Sequence, residues 1–129
     1  MLKTHLLFVD FEKSLTRFEE ILASDKSFVY TQAAIKTFEI TTELTWKLMQ
    51  TYLNEANGFV CNSPKECVRL AFQNELISDD IYWLEIIDIR NRTVIAYSQK
   101  YIEHIYETHL PKALKAFQNF YDIIKQKIK

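Results

Sequence analysis

Apolar residues recur along this chain at alternating spacings of three and four, the signature of helices that bury one face. From about Thr4 to Ala23 the seam is Phe8, Phe11, Leu15, Phe18 and Leu22. Ser24-Asp25 then interrupts the pattern. A second helix is expected from Phe28 to Asn57, closed by Asn57-Gly58, since glycine adopts the left-handed conformation that ends helices. Its core stripe is Tyr30, Ala34, Phe38, Thr41, Leu44, Leu48 and Tyr52, while Ile35, Trp46, Met49 and Leu53 widen the apolar arc past half the circumference. Such a helix must touch more than one neighbour. In a lone four-helix bundle part of that arc would face water, which predicts a homodimer. The polar remainder, Lys36, Glu39, Glu43, Lys47 and Gln50, forms a narrow strip in which Glu43 and Lys47 make a favourable pair one turn apart.

Ser63-Pro64-Lys65-Glu66 reads as a capping box with proline at the first helical position, so a short helix is predicted from Pro64 to Asn74. Ser78-Asp79-Asp80 suits the start of a long helix running to about Glu107. On a helical projection Trp83, Ile87, Asn91, Val94, Tyr101 and Ile105 share its inward stripe. Leu84, Ile95 and Ile102 lie on one flank, and Ile86, Arg90 and Tyr97 on the other. Pro111 permits a last helix, with Leu110, Leu114, Phe117, Tyr121, Ile124 and Ile128 as its seam. Four long helices and a short one predict an all-α, up-and-down four-helix bundle with an additional short helix, a single domain spanning residues 1–129.

Composition agrees. One glycine and two prolines in 129 residues leave little turn material, and 48% apolar residues can supply a core. A formal net charge of −1 gives no global field for nucleic acid or an anionic membrane. No segment approaches the run of about 18 apolar residues that a membrane span needs. The apolar run Leu6 to Val9 is too short for a signal peptide, so no membrane association and a cytoplasmic location are expected. Cys61 and Cys67 match neither a zinc site nor a redox pair, and two reduced, semi-buried thiols are expected.

Candidate chemistry is sparse. With a single glycine the chain cannot build a phosphate-cradling loop. It also lacks the Gly-Ser with paired aspartates by which a nucleotidyltransferase holds metal and triphosphate. Asp79-Asp80 is better read as a helix start, and His5, His104 and His109 fall at no ligand or triad spacing. No cofactor is expected. Glu39 and Glu43 are either an acidic pair or a solvated strip, and Trp46 either a packing rim or a stacking platform for a base. Arg90-Asn91 is the most suggestive pair. An amide on an apolar stripe costs roughly 1–3 kcal/mol if left unpaired, so Asn91 either fixes helix register or lines a cleft. Arg90 and Tyr97, two turns apart on one edge, would set a guanidinium and a phenol along a groove suited to a phosphate and a base.

The run Phe38-Glu39-Ile40-Thr41-Thr42-Glu43-Leu44-Thr45-Trp46-Lys47, followed by Arg90-Asn91 and Tyr97, resembles the nucleotidyltransferase substrate-binding proteins, relatives of the HEPN domains. Ser14-Leu15, Gly58 and Ser63-Pro64 extend the likeness over roughly residues 8 to 125. The resemblance implies a dimeric helical bundle that docks a separate small nucleotidyltransferase and helps hold its substrate or nucleotide. In HEPN relatives that cleave RNA, it implies that an Arg and a downstream His assist attack by the ribose 2′-hydroxyl. This chain departs at the His position, which is Ile95. A hydrocarbon side chain carries no proton, so a toxin ribonuclease of a toxin–antitoxin pair is the lesser alternative. A third reading is a structural dimer in which Arg90 and Asn91 only pack. The first reading makes the chain a non-catalytic subunit, with Arg90, Asn91, Tyr97, Glu39, Glu43, Trp46 and Lys47 as the substrate- or nucleotide-binding residues, and a nucleotide or RNA as ligand.

Overall fold

The computed structural model describes residues 1–24, 28–94 and 99–128. Among them the chain forms six helices and no strand: α1 (Leu2–Leu22), α2 (Phe28–Asn57), α3 (Pro64–Gln73), α4 (Asp80–Val94), α5 (Gln99–Thr108) and α6 (Leu110–Lys127). The stretch expected as one helix from Ser78 to Glu107 is thus described as α4 and α5. Residues 95–98, which include Ile95 and Tyr97, lie outside the described residues.

Antiparallel packing follows from the cross-helix pairs. Thr4 reaches Glu55 and Ser14 reaches Thr41, so α1 and α2 run in opposite directions. Phe8 stacks on Tyr121, Phe11 meets Phe120 and Phe18 meets Phe117, which sets α6 antiparallel to α1. Arg90 with Glu43 and Thr93 with Glu39 do the same for α4 and α2. These four rods form the up-and-down bundle, with α5 also against α2 and α6. The short α3 bridges α2 and α4.

Phe117 is the knot of the core. Its fully buried ring lies 5.8 Å from Phe18 of α1, 6.2 Å from Phe38 of α2 and 5.7 Å from Trp83 of α4. On α6 the small Ala113 and the ring of Phe120 are the buried neighbours of Phe117, while the expected Leu114 and Tyr121 are only partly covered.

The central helix is α2, which packs against every other helix described. That placement corrects the argument for a second copy. Of the four residues expected to lie partly in water, Ile35, Met49 and Leu53 are buried within one chain because α3 and α5 add walls that a four-rod bundle lacks, and Trp46 alone stays partly exposed. Several threonines of α2 are buried as well. Thr42 donates to the Phe38 carbonyl at 2.8 Å and Thr45 to that of Thr42 at 2.7 Å, so their hydroxyls are satisfied inside their own helix.

Helix ends follow local chemistry. Gly58, at φ +73°, lets its N–H donate to Asn54 and that of Phe59 to Leu53, closing α2. At the end of α3, Glu75 takes the left-handed conformation at φ 60°, with Leu76 N–H bound to Ala71 O and Glu75 N–H to Phe72 O. This is a Schellman closure without glycine, anchored by the fully buried Leu76. At the start of α3 Ser63 Oγ accepts from Glu66 N–H, as the capping box predicts.

That capping turn overturns the expectation of two free thiols. Glu66 Oε2 accepts the Asn62 N–H at 3.2 Å, and Gln50 Nε2 of α2 donates to Cys61 O at 2.7 Å. The chain before α3 is thereby folded back over its first turn. Cys61 and Cys67 come to a Cα separation of 5.2 Å and are joined as a disulfide, both buried. Among the described residues no helix is long and apolar enough to cross a membrane.

Candidate functional site

The facing edges of α2 and α4 bring most of the candidate residues together. Glu39, Glu43, Trp46 and Lys47 are spaced three or four apart on α2 and so share one side of it. Opposite them α4 presents Arg90 and, one turn later, Thr93.

Glu43 is the hub. Arg90 Nη2 lies 2.7 Å from Glu43 Oε2, Trp46 Nε1 donates to the same oxygen at 3.0 Å, and Lys47 Nζ stands 3.4 Å from Oε1. The Arg90 and Glu43 side chains are 29% and 31% exposed, so their charges meet at a half-covered boundary where screening is reduced. Burial pushes the Glu43 carboxyl up. The Trp46 hydrogen bond, then the charges of Arg90 and Lys47, outweigh that and hold it below its ordinary value. It is an anion at neutral pH.

Glu39 and Thr93 form the second contact of this seam. Thr93 Oγ1 lies 2.7 Å from Glu39 Oε2 and 2.8 Å from Arg90 O, its single proton serving one acceptor at a time. Thr93 is buried and was not singled out by sequence. Its signal was available, because a threonine three residues after Arg90 falls on the same helix face.

Two placements differ from expectation. Asn91 is exposed and accepts a hydrogen bond from Arg90 Nη1 at 3.2 Å instead of facing the core. The physical reason is that α4 is wedged between α2 and α3 as well as under α6, so it buries Ile86, Ile89 and Thr93 along with Trp83 and Ile87. The middle of that wide arc falls at Arg90, and Asn91, about 100° further round, turns outward. Tyr97 lies outside the described residues.

Arg90 is only partly satisfied. Its Nε is buried and, among the described residues, has no hydrogen-bond partner, while Nη1 and Nη2 meet one acceptor each. A guanidinium has five N–H groups arranged to grip a planar oxyanion along an edge. Chemically, the cluster offers a half-covered cation in Arg90, an exposed one in Lys47 and an indole, balanced by two carboxylates. Among the described residues no group of three His, Cys, Asp or Glu side chains is placed to hold a metal ion.

Comparison with known proteins agrees with this architecture. A protein from Thermus thermophilus of known crystal structure is 34% identical, with a TM-score of 0.79 over 85% of this chain and 94% of its own. A chain in the complex of the tri-AMPylated Shewanella oneidensis HEPN toxin with MNT antitoxin is 17% identical, with a TM-score of 0.72 over 95% of this chain and 96% of its own. A chain in a mutant of the toxin–antitoxin pair MntA–HpeT gives the same identity and TM-score over 95% and 97%. At that identity the likeness shows the fold alone. No curated protein matches the chain. The model of the family described as nucleotidyltransferase substrate binding protein like matches residues 6–126, nearly the whole chain, and the protein belongs to that family.

Proposed function

We infer that this chain is a non-catalytic substrate-binding subunit. It docks a separate small nucleotidyltransferase and uses the side chains at the α2–α4 seam around Arg90 to help hold the substrate or nucleotide on which that enzyme acts. The observation that carries the reading is Arg90, held at 2.7 Å from Glu43 across two helices with its Nε unpartnered among the described residues. A cation fixed there is suited to a phosphate group, and Trp46 beside it to a base. Family membership supports the division of labour. The reading includes a homodimer on the family resemblance alone.

The test is to coexpress the chain with a neighbouring-gene product that carries Gly-Ser and paired aspartates, and to titrate the purified proteins with each other and with AMP. Complex formation is expected, with Arg90→Ala weakening binding of partner or nucleotide by about 1–3 kcal/mol, the loss of a charge-assisted contact. Equal affinities for parent and Arg90→Ala would remove the site assignment and favour the structural-dimer reading. The absence of any such gene product, or of a complex with it, would remove the docking role.

A further inference from the structure

Glu43 is an unusually committed side chain for a half-covered position. It serves donors on both helices, and Arg90 Nη2 and Trp46 Nε1 converge within 3.0 Å of the same oxygen. Lys47 stands at its other oxygen. The guanidinium is less committed: it meets Glu43 through Nη2 alone and leaves the buried Nε without a partner among the described residues. In charge the cluster is balanced, since Glu39 and Glu43 face Arg90 and Lys47. An arriving phosphate would carry one or two further negative charges into that balance, and like charges sharing one guanidinium repel.

We propose that Glu43 is an internal placeholder: it fills the anion position of Arg90 in the empty protein and is displaced by the phosphate of a nucleoside monophosphate group. Displacement does two things at once, because one oxygen serves both donors. Arg90 and Lys47 pass to the phosphate, and the Trp46 indole loses its tether and becomes free to stack on the base. Glu39 stays with Thr93, so the helix seam is kept. Occupation of Arg90 and release of Trp46 are therefore one event, and Glu43 sets how tightly a ligand must bind to trigger it. The placeholder rests on the reading that Arg90 contacts the ligand.

The experiment uses the full chain, Glu43→Gln and Arg90→Ala, titrated with AMP and separately with inorganic phosphate by calorimetry. The indole N–H resonances are followed by NMR, of which the chain has only two, from Trp46 and the core residue Trp83. Removing the competing charge in Glu43→Gln should tighten AMP binding about tenfold or more, the effect of losing one charge-assisted contact that the ligand must otherwise break. AMP should shift the Trp46 indole peak of the unaltered protein and leave Trp83 in place. Phosphate alone should shift it less, since no base follows. If Arg90-dependent AMP binding occurs but Glu43→Gln binds no tighter, the placeholder is wrong while the role of Arg90 stands. If AMP binds through Arg90 with the Trp46 peak unmoved, the coupled release is wrong, and this holds whether or not the substitution disturbs folding. If neither parent nor Glu43→Gln binds AMP, or Arg90→Ala binds it as well as the parent, the reading beneath the placeholder fails and takes it along.

Discussion

Replacing Arg90 by alanine should cost stability in a way that pH can switch off. The substitution removes the 2.7 Å charge-assisted bond to Glu43, between groups about 30% exposed and worth roughly 1–1.5 kcal/mol at this degree of burial, together with an exposed 3.2 Å contact to Asn91 that adds little. Glu43 is not orphaned, because Trp46 and Lys47 still reach it, so the larger penalty of an unpaired buried charge does not arise. With an unfolding entropy of about 2.1 cal/mol/K per residue over 129 residues, the melting temperature should fall by roughly 4–6 °C at pH 7. Glu43 has a depressed folded-state pKa, so the stability it contributes is fully present above its unfolded-state value and is lost as pH falls through the folded one. The difference between parent and Arg90→Ala should therefore be full at neutral pH and shrink as the carboxyl protonates. Melting followed by circular dichroism from about pH 7 to about pH 3 measures it, with unchanged helicity at low temperature as the control. A drop of equal size at both ends of that range would show that Arg90 stabilises through the packing of its aliphatic stem and not through Glu43. No drop at all would mean that solvent already screens the pair.

Phe117→Ala should cost about 3–5 kcal/mol in urea unfolding, because it opens a cavity where rings from α1, α2 and α4 converge; a loss below about 1 kcal/mol would mean that the core collapses to fill it. The native protein should show no titratable thiol before reduction, and reducing Cys61–Cys67, which closes a loop of seven residues, should lower stability by about 2 kcal/mol; thiols that react freely without a reductant would refute the pairing. The purified chain should leave single-stranded RNA and tRNA intact, since Ile95 supplies no proton; cleavage that disappears in Arg90→Ala would show that the motif has been misread.

The bundle was legible because each helix carries its own signals. The seam Phe11, Leu15 and Phe18 on α1, the Ser63 cap and the Gly58 stop act within a turn or two of themselves, and the structure keeps all of them. What the periodicity could not supply was the number of neighbours each helix has. A four-rod picture gives α2 two packed sides and leaves Ile35, Met49 and Leu53 over, which calls for a second copy. With α3 and α5 added as walls the same residues are core. The cysteines were missed for a related reason. Five intervening residues exceed a metal or redox spacing, yet a capping box reverses the chain before α3, and only in three dimensions does Cys61 come back over Cys67.

The site shows the same division at finer grain. Spacing alone put Glu39, Glu43 and Lys47 on one strip with Trp46 beside it, and the structure sets Arg90 against them. The error lay in the rotation of α4: a stripe drawn through Trp83 and Ile87 puts Asn91 inward, whereas a helix wedged against three neighbours buries a wider arc whose middle is Arg90. A rotation of about 100° separates a buried amide from a half-buried guanidinium, and the two would do different chemistry. An inward Asn91 would fix register by neutral hydrogen bonds. An inward Arg90 must instead be given a counter-anion by the neighbouring helix, because an unpaired guanidinium at that boundary is costly. Glu43 supplies it. On the proposed function, the anion position that Glu43 fills is the one a phosphate would take, which ties the packing of α4 to the ligand chemistry.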